Sequence, residues 1–182
     1  MTGLQSTDRE FVLEFDKCVS AVLRSRRHTL WHDSKRKEIH VEARSVLLYN
    51  FLRQSLDSLR PWIQHCNNCV AAFLRGFFDS EGSVGQDGEL TTANNDLVLL
   101  DYVRKLLMDC FGIESTGPHL GKKAGTKIER RGRSYYRNSD SFRIYIRRGS
   151  LKKFATSIGL TIMRKRERLQ GTVNRAKETR RG

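Results

Sequence analysis

Apolar positions recur along the chain at helical spacing in four places and alternate at strand spacing in several others. Phe11, Phe15, Val19 and Val22 fall at three- and four-residue steps, so residues 10–22 predict an amphipathic helix. A polar, basic turn region follows, then a short strand at residues 38–41. Ser45 stands where an N-cap belongs, ahead of Leu47, Leu48, Phe51, Leu52, Leu56 and Leu59, with Pro61 expected to stop that helix. Asn67 or Asn68 is placed to cap a helix running from Cys69 to about Ser80 and ending at Gly82. Residues 83–86 and 89–93 flank Asp87-Gly88, a strong hairpin signal. Asn94 or Asn95 then caps a helix through Phe111. Its Leu97, Leu100, Val103, Leu106, Leu107 and Cys110 share one face, and Gly112 closes it. Beyond lie a strand near residues 113–116, a basic glycine-rich stretch (121–138), a strand at 142–147 and a helix at 150–158. A basic helical tail starts at Met163 and is expected to fray after Gly171.

From residue 69 to about 159 this order reads αββαββα, an α+β design. The expected fold is a four-stranded antiparallel, saddle-shaped sheet with helices on one face, preceded by an N-terminal α/β extension. The domain reading is an extension at 1–66, the main domain at 67–170 and a basic C-terminal tail at 171–182. On the last strand Phe142, Ile144 and Ile146 point one way and Arg143, Tyr145 and Arg147 the other. The helix-free face therefore offers arginine and tyrosine to a partner. The extension also carries a weak echo of the main domain. Residues 10–15 resemble 96–101, and Ile39-x-Val41 before Ser45 resembles Ile144-x-Ile146 before Ser150. The extension is thus a candidate partial repeat lacking its first helix and first hairpin.

Charge sharpens the picture. The chain carries a formal net charge of +14, and residues 117–182 alone hold 20 Lys/Arg against four acids. So one-sided a distribution is the footprint of a protein that tracks a phosphate backbone, DNA or RNA. No apolar run approaches the roughly 18 residues needed to span a bilayer, and residues 1–10 are polar, unlike a signal peptide. A soluble intracellular protein is expected. Cys66 and Cys69 form a lone C-x-x-C after His65. Without a second pair at zinc-site spacing, they read as buried or cap-proximal thiols beside a helix start. His28 and His32 have helical spacing but no third ligand nearby.

The run Leu74-Arg75-Gly76-Phe77-Phe78-Asp79-Ser80-Glu81-Gly82 resembles the motif that names the LAGLIDADG homing endonucleases. The matching positions are Leu, small, Gly, two large apolar residues, Asp, small, acid, Gly. Arg75 departs from a usually small position, and Glu81 stands where Asp is commoner. The resemblance extends over about residues 69–170. Ala72, Gly76 and Ser80 recur every four residues and leave a helix face almost free of bulk, suited to close helix approach. Phe73, Phe77 and Phe78 would anchor the helix to its own core. Acids at a helix C-terminus oppose the helix dipole unless something positive compensates.

The resemblance implies a site-specific, magnesium-dependent DNA endonuclease that cuts a long, near-palindromic double-stranded site. With one motif per chain it implies a homodimer, meeting through Ala72, Gly76, Asp79 and Ser80. Glu81 and the Ser80 carbonyl would bind Mg2+. Lys165 is the basic residue expected near the attacking water, with plain phosphate contact as its other reading, and Asn94 is the polar residue expected beside the site. Asp79 is expected to cap or pack at the helix end. DNA contacts are expected from Arg143, Tyr145 and Arg147 on the outward face and from Gly85 and Asp87 on the first hairpin. Lys122, Lys123, Lys127, Arg130, Arg131, Arg133, Tyr135 and Arg137 would form a long hairpin arm along the groove. Proteins of this kind are intron- or intein-encoded. The competing function is a non-catalytic binder of the same fold, an RNA maturase or a transcription regulator.

Overall fold

Val12 and Val41 centre one hydrophobic core, and Leu74, Phe78, Ile144 and Phe154 a second, all with no exposed surface. The computed structural model, which describes residues 2–23, 28–130 and 132–178, divides accordingly into two units, residues 1–62 and 63–182.

The first unit runs β1 (Thr2–Ser6), α1 (Arg9–Leu23), β2 (His28–Asp33), β3 (Glu38–Ala43), α2 (Val46–Leu52) and α3 (Leu56–Ile63), with its antiparallel sheet ordered β1-β3-β2. Ser45 caps α2 as expected, accepting the Leu48 N–H. Pro61 does not stop that helix. The break comes earlier, because the Ser55 hydroxyl accepts the Ser58 N–H and starts α3, which then contains Pro61. β1 and β2 escape periodicity analysis, being short and flanking a helix. β2 also takes in His28 and His32, so their helical spacing has no meaning.

The second unit begins with α4 (Asn67–Glu81), β4 (Gly82–Val84), β5 (Leu90–Asn94) and α5 (Leu97–Phe111). It continues through β6 (Ser115–Lys122), a hairpin of β7 (Lys127–Arg130) and β8 (Arg133–Tyr136), and β9 (Ser141–Ile146). A 3-10 turn (Arg148–Ser150), α6 (Leu151–Ser157) and α7 (Met163–Glu178) complete it. The main sheet is four-stranded and antiparallel, ordered β4-β5-β9-β6. Leu90, Thr92 and Ile144 are buried on the side packed by helices, with Phe78 and Phe154 in edge-to-face contact 4.9 Å apart between centroids. The expected α+β repeat is therefore present.

Local chemistry shifts several boundaries. Cys66, not an asparagine, occupies the N-cap of α4 and makes no side-chain cap bond. Asp96, not Asn94 or Asn95, caps α5 by accepting the Leu99 N–H, while Asn94 accepts the Asp96 N–H behind it. Gly112 closes α5 in the left-handed region at φ 56°, as expected. β6 runs on to Lys122, two register shifts past the predicted strand. The C-terminal helix continues to Glu178 rather than fraying at Gly171, because Thr172 and Val173 are buried. Gly88, at the hairpin tip with φ +79°, lies so close to Thr172 that any Cβ there would collide. Among the described residues no helix is long and apolar enough to cross a membrane.

The two units share a pattern. Order β1-β3-β2 matches β5-β9-β6, and Ser6–Asp8 repeats the local bonding of Asn94–Asp96. Ser6 Oγ accepts the Asp8 N–H, and Asp8 accepts the Phe11 N–H. Registers then equate Asp8 with Asp96 and Val41 with Ile144, each offset by two residues from the echo in the sequence.

Phe78 lies at the centre of the second core. Phe78→Ala is expected to cost about 3–5 kcal/mol, read as an earlier urea transition in circular dichroism.

Candidate metal centre and nucleic-acid interface

α4 is amphipathic in an uncommon way. Val70, Leu74, Phe77 and Phe78 bury one side, while Asn68, Ala72, Gly76 and Ser80 are all exposed on another. A Cβ added at Gly76 would meet nothing within 4 Å. Phe73 sits between the two, 6.0 Å from the Tyr102 ring. Arg75, the departure from the motif, donates through Nε to the Ile158 carbonyl at 2.7 Å, closing the end of α6.

At the C-terminal end of α4 two charged side chains cross. Asp79 is buried, 6% exposed, and its carboxylate accepts the Thr161 N–H at both oxygens (3.1 and 3.0 Å) and the Ile162 N–H at 3.3 Å. It thereby caps the start of α7. Lys165, in the first turn of α7 and 8% exposed, points back. Its Nζ donates to the carbonyls of Asp79 (2.6 Å), Gly82 (2.7 Å) and Phe78 (3.3 Å). Burial lowers the Lys165 ammonium from its ordinary value, with Asp79 pulling it up, Arg164 pushing it down and Glu81 pulling it up. The positive charge that an acidic helix end requires is thus supplied by a lysine of the same chain.

These contacts locate three of the expected site residues. Asp79 is not on the exposed face of α4; it packs at the helix end, as its capping reading anticipated. Lys165 reaches the acidic helix end, where its Nζ donates to three carbonyls. Asn94 lies on the helix-packed side of β5, next to Phe142 in register, with its side-chain oxygen taken by the Asp96 N–H.

Glu81 differs from all of these. It is exposed, and among the described residues its carboxylate accepts no hydrogen bond and forms no ion pair. Ser80 beside it is exposed, its hydroxyl donating to the Phe77 carbonyl at 3.1 Å. A free carboxylate at a helix end rich in carbonyl oxygens is a hard, oxygen-only donor set. That chemistry fits a cation such as Mg2+, which takes few carboxylates and keeps its waters.

The sheet face away from the helices carries Arg143 and Tyr145, each half-buried. Arg143 stands between Ala93 and His119 in register, Tyr145 between Thr91 and Thr116. His119 lies 6.1 Å from Tyr145 between ring centroids and belongs to this face. Sequence periodicity misses it because bulges in β6 break the alternation. Arg147 is exposed just past β9 and reaches Glu114 at 3.6 Å. Gly85 and Asp87 are exposed in the hairpin tip. The basic stretch does form a hairpin, with Lys127 paired with Tyr136, Ile128 with Tyr135, and Arg130 with Arg133. Lys122, Lys123, Lys127 and Tyr135 are exposed there, and Lys127 holds Glu129 at 2.7 Å. Arg137, just past β8, is half-buried; Arg131 lies outside the described residues.

Lys165→Met leaves three carbonyls at a buried helix end without their donor and is expected to cost about 2–4 kcal/mol. Because burial lowers the native Lys165, the unfolded chain binds this proton more tightly. The residue's contribution then grows as pH rises toward the ordinary lysine range. Urea melts should show the gap between wild type and Lys165→Met widening as pH rises toward about 10.

Comparison with known proteins places these features. Residues 68–159, from α4 past the end of α6, match the LAGLIDADG-like domain family. The protein MJ0398 of Methanocaldococcus jannaschii, itself uncharacterised, is 41% identical over 132 residues, 72% of this chain and 46% of its own length. The chain thus spans less than half of that relative. A structure of the homing endonuclease I-DmoI with DNA and Mn is similar over 87% of this chain and 80% of its own, with a TM-score of 0.61 and 16% identity. Another, with DNA and Ca, covers 86% and 73% with a TM-score of 0.58, also at 16% identity. At that identity the likeness is one of fold. With the motif on α4 and the four-stranded sheet beside it, the chain belongs to the LAGLIDADG-like domain family.

Proposed function

We propose that this protein is a site-specific, metal-dependent endonuclease for double-stranded DNA, with Glu81 as its metal-binding carboxylate. The observation that carries this is the contrast at the end of α4: Asp79 and Lys165 are buried and committed, while Glu81 alone is left exposed and unbonded. Glu81, with the Ser80 carbonyl, would hold Mg2+ at the scissile phosphate. A cation held there would supply charge neutralisation at the phosphate and would lower the pKa of water. Hydrolysis then joins a water oxygen to phosphorus as the bond to the 3′ oxygen breaks. The water proton passes to solvent, and the leaving oxygen takes one up. The clamp of Asp79 and Lys165 keeps Glu81 oriented throughout.

Arg143, Tyr145, Arg147 and His119 would contact DNA from the open sheet face, and the β7–β8 arm would follow the backbone with Lys122, Lys123, Lys127 and its arginines. Most such contacts serve phosphate; guanidinium to guanine supplies sequence reading.

Residues 1–62 fit a shortened copy of the same repeat, from the shared strand order and the matching caps at Asp8 and Asp96. In that correspondence His40 and Glu42 occupy the positions of Arg143 and Tyr145. Such a face suits phosphate poorly, and the described part of this unit offers no second small-faced helix ending in an exposed acid. Both points favour a homodimer, with α4 meeting α4 and each chain reading half of a near-palindromic site.

A non-catalytic role on RNA or DNA is the second reading. It draws on one observation, that Lys165 and Asn94 are both engaged in structural bonds.

Glu81→Gln is expected to abolish double-strand cutting in magnesium while leaving DNA affinity within about two-fold, since one neutral amide replaces one acid. Cleavage and gel-shift assays on candidate insertion sites read this. Tight binding without cutting by wild type, with RNA bound as well, turns the assignment to the second reading. Gly76→Leu adds bulk to an open face. It is expected to convert a dimer to a monomer in analytical ultracentrifugation with no loss of thermal stability; a monomeric wild type refutes the homodimer.

A further inference from the structure

The other end of α4 carries a different chemistry. His65, Cys66 and Cys69 bring a ring nitrogen and two sulfurs within 4.8 Å of one another. The two sulfurs are 3.4 Å apart. Two thiolates about 2.3 Å from one tetrahedral zinc ion stand about 3.8 Å apart, whereas a disulfide holds its sulfurs at about 2.05 Å. The spacing here approaches the first value and is far from the second. A lone C-x-x-C lacks the second pair that zinc sites use; here the fold turns the adjacent His65 toward both sulfurs as a third donor.

Cys66 is the N-cap residue of α4, and its sulfur faces that of Cys69. His65 and Cys66 are exposed and Cys69 is half-buried, so an ion from solvent reaches all three. The 15-residue helix separates this cluster from Glu81 by about 20 Å. One end of α4 thus presents soft nitrogen and sulfur donors, the other hard oxygens, and the two select different metals.

We propose that His65, Cys66 and Cys69 form a zinc(II) site, with the fourth position held by water, that fastens the segment between α3 and α4 to the first turn of α4. Binding forms two Zn–S bonds and one Zn–N bond, and protons still held by the thiols pass to solvent. No redox change is involved. The site is independent of the nuclease assignment.

Cobalt(II) titrated into the reduced, metal-stripped full chain tests this. One equivalent per chain should produce a near-ultraviolet thiolate-to-cobalt band with visible bands of tetrahedral strength, and zinc should abolish both. Cys66→Ser and Cys69→Ser should lose the thiolate band. His65→Ala should shift the visible bands, while Cys18→Ser, Cys110→Ser and Glu81→Gln should leave the spectrum unchanged. A wild type with no band overturns the proposal on its own, whatever the variants do. So does a band that survives Cys66→Ser, one that disappears in Glu81→Gln, or a chain that forms a Cys66–Cys69 disulfide instead of binding cobalt.

Discussion

Two opposed helix ends, tied by two buried charges, fix the chemical part of this protein. The last turn of α4 presents carbonyls, and the first turn of α7 presents N–H groups, so each end carries the partial charge the other lacks. Asp79 leaves the carbonyl end of α4 to bond Thr161 and Ile162. Lys165 leaves the N–H end of α7 to bond Phe78, Asp79 and Gly82. Each side chain would be badly placed with respect to its own helix and is well placed with respect to the other. Breaking one half of so buried an arrangement leaves the other uncompensated, which is why such pairs hold geometry even where their net stabilisation is small. Glu81 is the acid this crossing excludes. It stays exposed while Asp79 takes the Thr161 and Ile162 donors.

From that fixed point the rest of the second unit divides its work by face. The sheet gives Leu90, Thr92 and Ile144 to the core and Arg143 and Tyr145 to the outside. α7 runs on past the clamp and packs Thr172 against the tip of the β4–β5 hairpin, so one helix supports both the acidic end and the nearest hairpin. The basic excess of residues 117–182 falls largely on β6, the β7–β8 arm, β9 and α7. Positive charge is thereby carried around a core that needs none of it.

Much of this was legible in the chain. The motif, the Asp-Gly hairpin, the α5 face ending at Gly112 and the alternation of Phe142 to Arg147 each arise from local rules, and each is found. What escaped were features decided by the partner a side chain finds. Lys165 could be assigned to the acidic end, but only tertiary packing decides whether an ammonium meets water or three carbonyls. Asn94 has the right chemistry for a site, and a two-residue hydrogen bond to Asp96 claims it for a cap. β6 was cut short because its bulges destroy the period on which a strand is recognised, and His119 was lost with it. In the first unit the Ser6–Asp8 bonding that parallels Asn94–Asp96 lies two residues away from the apolar echo in the sequence.

The claim on which the account turns is that Asp79 and Lys165 act as one unit. A double-mutant cycle of Asp79→Asn and Lys165→Met, read by urea denaturation of the full chain, tests it most directly. The account predicts that the paired variant loses less than the two single losses together, with a coupling of at least about 1 kcal/mol. Losses that add to within about 0.5 kcal/mol would contradict it, leaving two independent caps and no reason for Glu81 to stand where it does.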